Sequence, residues 1–136
     1  MSSHHDCPGV PDRSGPLSAL RHGLRGQLGD WGADAVSDDA CLVLSELFAN
    51  ARRHGTPPVR VAVTLRTGGP GPPSMRLEVA DRGPGFDADA VRARWRHPSY
   101  PLVERGRGLY LVDRVSVAWG DRRTDAGHTV WADLRV

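Results

Sequence analysis

Glu46, Asn50 and His54 stand at four-residue intervals in the stretch SELFANARRHG. Steps of four place side chains on one face of a helix. Asn50 is the only asparagine in the chain and Glu46 is one of three glutamates, so both residue types are scarce where this pair occurs. A carboxylate and an amide on one helical face can coordinate a hard cation and a phosphate oxygen, or orient a water or hydroxyl. Mg²⁺ retains water and phosphate ligands and asks for few protein oxygens, so one Asn carbonyl can suffice. The same three residues also fit a solvated polar stripe.

Two glycine-bearing motifs follow. In VADRGPGF, Asp81 closes an alternating apolar run, and Gly83 and Gly85 come directly after it. Glycines let the backbone turn with positive φ and let a flat ligand approach closely. A carboxylate at the lip of such a pocket can accept a hydrogen bond from an exocyclic amine such as that of adenine. In ERGRGLYLVDRV, Gly106 and Gly108 precede an apolar helical pattern, with Arg105 and Arg107 between and beside them. Free N–H groups at a helix start suit anions, and arginines add phosphate contacts. Taken singly, the first motif is also an ordinary Asp-x-Gly turn and the second a loop with a helix start.

The elements that must position these residues are legible from periodicity. Leu17, Leu20, Leu24, Leu28 and Trp31 recur at helical spacing, weakened by Gly23 and Gly26. Asp38 and Asp39 give a second helix an acidic start suited to its dipole; it runs to about Arg53 and stops at Gly55. Cys41, Leu42, Leu44, Leu47, Phe48 and Ala51 supply its apolar stripe. Residues Val59 to Leu65 and Met75 to Ala80 alternate as half-buried strands around the loop RTGGPGPPS. A short helix over Ala88 to Trp95 sits in a stretch, 86 to 105, that reads as a mobile cover. The helix after GRG is followed by strands over Val117 to Arg122 and His128 to Val136. Paired strands alternating with helices predict an α/β (α+β) two-layer sandwich, its mixed, mostly antiparallel sheet carrying helices on one face. Residues 1–16, with three prolines and two glycines, read as a disordered tail, leaving 17–136 as one domain.

Composition narrows the chemistry. Eighteen arginines oppose 16 acids for a net charge of +2, with no basic block dense enough for a nucleic-acid surface. The pairs Arg52-Arg53 and Arg122-Arg123 read as solvated faces. The chain has no lysine, which removes the P-loop and the common protein-kinase fold if it acts alone. No Gly-x-Gly-x-x-Gly follows a first strand, which argues against a dinucleotide fold. Two cysteines make no disulfide framework, and no apolar run reaches membrane length, so a reduced, cytoplasmic protein is expected. HHDC, His4 to Cys7, reads as part of the tail before it reads as a metal site.

In this order the three motifs resemble the nucleotide-binding boxes of the GHKL ATPase superfamily, which includes DNA gyrase and histidine kinases. The likeness is nearest to the anti-sigma-factor serine/threonine kinases of bacteria. ELFANARRHG is similar to their N box, DRGPGF to their first glycine box, GRGLYLVDRV to their second, and GHTVWADLRV to their last strand, over residues 17–136. The resemblance implies the Bergerat ATP-binding fold, with ATP and Mg²⁺. It implies Glu46 as general base on an attacking hydroxyl and Asn50 as the Mg²⁺ ligand. Asp81 would bind the adenine amine on a floor shaped by Gly83 and Gly85. Gly106 and Gly108, with Leu109 after them, would offer backbone N–H groups to the phosphates, joined by Arg105, and Thr129 would line the adenine side.

Histidine-kinase N boxes often carry Asn or His where Glu46 stands, so the glutamate favours the anti-sigma branch. The expected partners are a sigma factor, an anti-sigma antagonist protein and ATP or ADP, without nucleic acid or membrane. Apolar residues on Leu17 to Trp31 offer a surface for a homodimer. No segment reads as a histidine-bearing pair of dimerisation helices. Two other readings compete: a nucleotide-switched binding module without useful phosphotransfer, and a stand-alone ATPase subunit of a larger complex.

Overall fold

Alternating apolar residues build one antiparallel sheet whose inner face carries the core. The structure is a computed structural model and describes residues 5–8, 15–95 and 107–136. In chain order the elements are β1 (His5–Pro8), α1 (Leu17–Asp30), a 3-10 turn (Asp34–Val36), α2 (Ser37–His54), β2 (Arg60–Thr67), β3 (Ser74–Asp81), α3 (Ala88–Trp95), α4 (Arg107–Val115), β4 (Ala118–Thr124) and β5 (Gly127–Arg135). The sheet order is β1-β2-β3-β5-β4. Every neighbouring pair among the described residues is antiparallel, so the mixed character allowed for above does not arise there. The expected two-layer α+β sandwich is otherwise the observed one.

Register fixes which side chains face the helices. Val61 stands opposite Val79 and Val63 opposite Leu77, while Val79 faces Val130 and Leu77 faces Ala132 on the other side of β3. All of these are buried, together with Met75 and Leu134. Three helices cover this face. α1 brings Leu20, Leu24 and Leu28; α2 brings Val43, Leu44, Leu47 and Phe48; α4 brings Leu109 and Val112. At roughly 25 cal/mol per Å² of apolar surface removed from water, this stripe-on-sheet burial is the main force holding α2 and α4 in place.

The opposite sheet face has its own polar layer. The Arg76 guanidinium donates to both carboxylate oxygens of Asp133, at 2.7 and 2.9 Å, and lies 4.1 Å over the Trp131 ring. Arg122 donates to Glu78 at 3.0 Å. At the α3 end, Arg92 stacks 4.2 Å over Trp119 and donates to the Trp119 carbonyl, while the Trp119 indole N–H donates to Asp113 of α4 at 2.8 Å. That chain ties α3 to β4 and α4.

Two features differ from the sequence expectation. Part of the presumed tail is β1, with His5 opposite Thr67 and Pro8 opposite Thr64. Edge pairing uses backbone N–H and C=O groups on the open side of β2 and needs no apolar alternation, so a pattern reading passes over it. The helix stop at Gly55 is real, but its φ of −100° is not left-handed. The glycine is there for space: a Cβ on Gly55 would stand 2.4 Å from the Asp81 Cγ.

Candidate functional site

The polar face of α2 is turned toward α4 and the end of β3. It borders two adjoining clefts, both of which are lined by Asn50 and His54. The first cleft, open to solvent, lies against Asp81, Gly85, Phe86, His128 and Val130. The second lies against Glu46, Arg53, Gly108 and Leu109. The four-residue spacing thus delivers what it predicts: Glu46, Asn50 and His54 share a face, and that face lines a cavity.

Asp81 ends β3 and is only 7% exposed. Its Oδ1 accepts from the Gly83 N–H at 2.6 Å and from the Thr56 N–H at 3.2 Å. Two backbone donors therefore fix the carboxylate in place. Oδ2 has no hydrogen bond among the described residues, which leaves one oriented acceptor. Gly85 adopts φ +77°, and a Cβ there would stand 2.2 Å from the His128 ring. Both the backbone conformation and the close approach demand glycine at this floor.

At the other end, the Glu46 carboxylate lies against the start of α4. A Cβ on Gly108 would sit 2.4 Å from Glu46 Oε2. Leu109 follows Gly108 and is buried, so α4 is anchored directly behind the glycine. Glu46 and Asn50 are themselves half-buried, accessible from the cleft but held by the packed side of α2. The cleft thus has a carboxylate, an amide and an arginine converging on one volume, with a single fixed carboxylate oxygen at its far end. A planar base at Asp81 and a polyphosphate beside Asn50 and Arg53 fit that polarity.

The other sequence-predicted residues divide as follows. Gly83 is part of the Asp81 turn. Arg105 and Gly106 lie outside the described residues, as does much of the presumed cover. Thr129 is a correction: it stands on the sheet face opposite the cleft. Burial along β5 alternates, with His128, Val130, Ala132 and Leu134 turned inward, and the cleft is lined by His128 and Val130. The period-two rule moves the pocket position by one residue.

Two participants escaped the sequence reading. His128 is 2% exposed, its Nε2 2.8 Å from Asp121 Oδ2, and its ring meets Phe86 edge-on with centroids 4.9 Å apart. Arg53, read as a solvated face, lines the second cleft. The signal for His128 was present, since it falls in step with the apolar Val130, Ala132 and Leu134. The remaining titratable oddity is Cys41 of α2. Burial pushes its thiol above the ordinary range, and the nearby Arg25 and Arg21 only partly offset this. It takes no part in the cleft.

No group of three or more His, Cys, Asp or Glu side chains among the described residues could hold a metal by itself. The amide carbonyl of Asn50, which lines both clefts, is of the oxygen-donor type that Mg²⁺ accepts beside phosphates and water. Among the described residues, no helix is long and apolar enough to cross a membrane.

Comparison with known proteins agrees with this geometry. The pattern of the histidine kinase-like ATPase domain matches residues 10–134. The sensor protein CseC of Streptomyces coelicolor is 34% identical over 96 residues, which is 68% of this chain and 16% of that protein. The sensor protein CseC of Streptomyces avermitilis is 35% identical over 97 residues, 68% of this chain and 17% of that protein. The chain therefore spans only a small part of the length of either relative.

Proposed function

The chain belongs to the histidine kinase-like ATPase domain family, and from that premise we propose that it is a protein serine/threonine kinase of the anti-sigma type. It binds Mg·ATP along α2, passes the γ-phosphate to a hydroxyl of an antagonist protein, and holds a sigma factor or that antagonist according to its nucleotide state. The observation that carries this reading is the pair of adjoining clefts sharing Asn50, with a fixed acceptor at one end and Glu46 at the other.

The roles follow from position. Asp81 Oδ2 accepts from the adenine amine while Oδ1 stays with the backbone. Asn50, at the boundary between the clefts, would hold Mg²⁺; when bound, the ion neutralises phosphate charge. Arg53 and the start of α4 at Gly108 attract the phosphates. Glu46 accepts the proton of the attacking hydroxyl. A serine hydroxyl must lose its proton as it attacks, so a carboxylate base beside the γ-phosphate contributes typically 10²–10⁴-fold. A neutral imidazole attacks through a free lone pair and needs no such base. Glu46 is thus the feature that favours a hydroxyl acceptor.

The similarity to two sensor proteins favours a second reading, in which the same cleft serves transfer to a histidine. One experiment separates them. The chain is incubated with γ-labelled ATP, Mg²⁺ and candidate antagonist-fold proteins encoded nearby, and the labelled product is exposed to acid. The first reading expects label on the partner that survives acid, as a phosphate ester does. Acid-labile label supports transfer to histidine. Nucleotide binding with no transfer to any partner leaves a nucleotide-switched binding module.

A further inference from the structure

His128 is buried in the wall of the first cleft, and no role described so far uses it. It stands directly opposite Asp81 in the β3–β5 pairing. Directly opposed residues on one sheet face have Cβ atoms roughly 4.5–5.5 Å apart, and both Asp81 and His128 line the first cleft. The ring is held from three sides. Gly85 packs against Cγ, Phe86 meets it edge-on, and Asp121 lies 2.8 Å from Nε2. An ionised carboxylate only accepts hydrogen bonds, so Asp121 requires Nε2 to carry a proton. In the neutral ring Nδ1 is then a lone-pair acceptor. Nδ1 has no hydrogen bond among the described residues.

We propose that His128 is a base-specificity residue, acting as a second acceptor beside Asp81 Oδ2, and that Asp121 is the positioning residue that sets its tautomer. This rests on the reading that a purine occupies the Asp81 cleft. The 6-amino group of adenine has two N–H donors. One carboxylate oxygen takes one of them, and a neighbouring Nδ1 lone pair takes the other. A 6-oxo purine would set its oxygen against both acceptors. The ligand class is therefore a 6-aminopurine nucleotide, recognised by two groups on adjacent strands.

The test compares ATP with inosine triphosphate, which differs at the six-position, for the parent, His128→Leu, Asp121→Asn and the double variant. His128→Leu removes the acceptor and should narrow the ATP preference by roughly 3–10-fold, the value of one hydrogen bond. Asp121→Asn leaves the ring in place but no longer dictates its tautomer, and should narrow it in the same direction. Because Asp121 acts through His128, adding Asp121→Asn to His128→Leu should change nothing further. A merely structural role for Asp121 would instead weaken both nucleotides alike and add in the double variant.

Nitrogen-resolved NMR of the parent's histidine rings needs no variant. It should show His128 protonated at Nε2, with Nδ1 shifting on ATP and not on inosine triphosphate. Protonation at Nδ1, or an ATP preference untouched in folded His128→Leu while Asp81→Asn abolishes it, overturns the proposal and leaves the ATP cleft standing. A parent that binds neither nucleotide, or both equally, overturns the ATP reading itself.

Discussion

Replacing Asp81 with asparagine should erode the ATP preference of the cleft, because the structure dictates which way the amide must point. Oδ1 receives the Gly83 and Thr56 N–H groups at 2.6 and 3.2 Å. In Asp81→Asn the carbonyl oxygen must keep that place, since an NH₂ there would face two donors. The NH₂ then occupies the position of Oδ2 and presents a donor to the base. Adenine's amine would meet a donor, and the loss of the bond plus the unpaired groups costs about 1–3 kcal/mol, roughly 5–150-fold in affinity. Guanine's six-position oxygen would meet a donor and gain about 0.5–1.5 kcal/mol, roughly 2–10-fold. The ATP-to-GTP affinity ratio should therefore fall by at least about tenfold. Calorimetric titration of both nucleotides into parent and variant measures it, with thermal melting to establish that the variant is folded. An unchanged ratio in a folded variant would refute the assignment of Asp81 and the orientation argument together.

Three further outcomes are expected. Asn50→Ala should weaken Mg·ATP binding while leaving the melting transition in place, and equal Mg·ATP affinity in parent and variant would remove Asn50 from the metal. Glu46→Gln keeps shape and hydrogen bonding, so it should spare ATP affinity and slow phosphotransfer by roughly 10²–10⁴-fold; transfer at the parental rate would sink the general-base role. Leu28 of α1 is 0% exposed in the core, so Leu28→Ala should cost about 2–5 kcal/mol in urea unfolding, and a loss under 1 kcal/mol, by the same scale, would mean that α1 is not packed as described.

How much of this was legible in the sequence depends on how local the signal is. Helices α1 and α2, the strands β2 and β3, and the short α3 follow from apolar periodicity within each segment, and they fall within a residue or two of the expected bounds. The grouping of Glu46, Asn50 and His54 is equally local, being a helical spacing. β1 was missed because an edge strand is held by the backbone of a segment far away in sequence. Thr129 was placed on the wrong face because one residue of register decides inward from outward, and only pairing with β3 fixes that register. His128 and Asp121 are paired diagonally across two strands, which no linear spacing announces. Gly55 was given a backbone reason when its cause is the Asp81 carboxylate, 26 residues further along the chain.

The central claim is that the face of α2 carrying Glu46 and Asn50 holds a metal-bound triphosphate whose adenine ends at Asp81. The most direct measurement is a crystal structure of the chain with Mn²⁺ and a non-hydrolysable ATP analogue, the metal located by its anomalous signal. The adenine amine should lie on Asp81 Oδ2, the Mn²⁺ on the Asn50 side-chain oxygen, and the γ-phosphate at the end of the cleft beside Glu46. A nucleotide bound away from Asp81, or a metal held without Asn50, would contradict it.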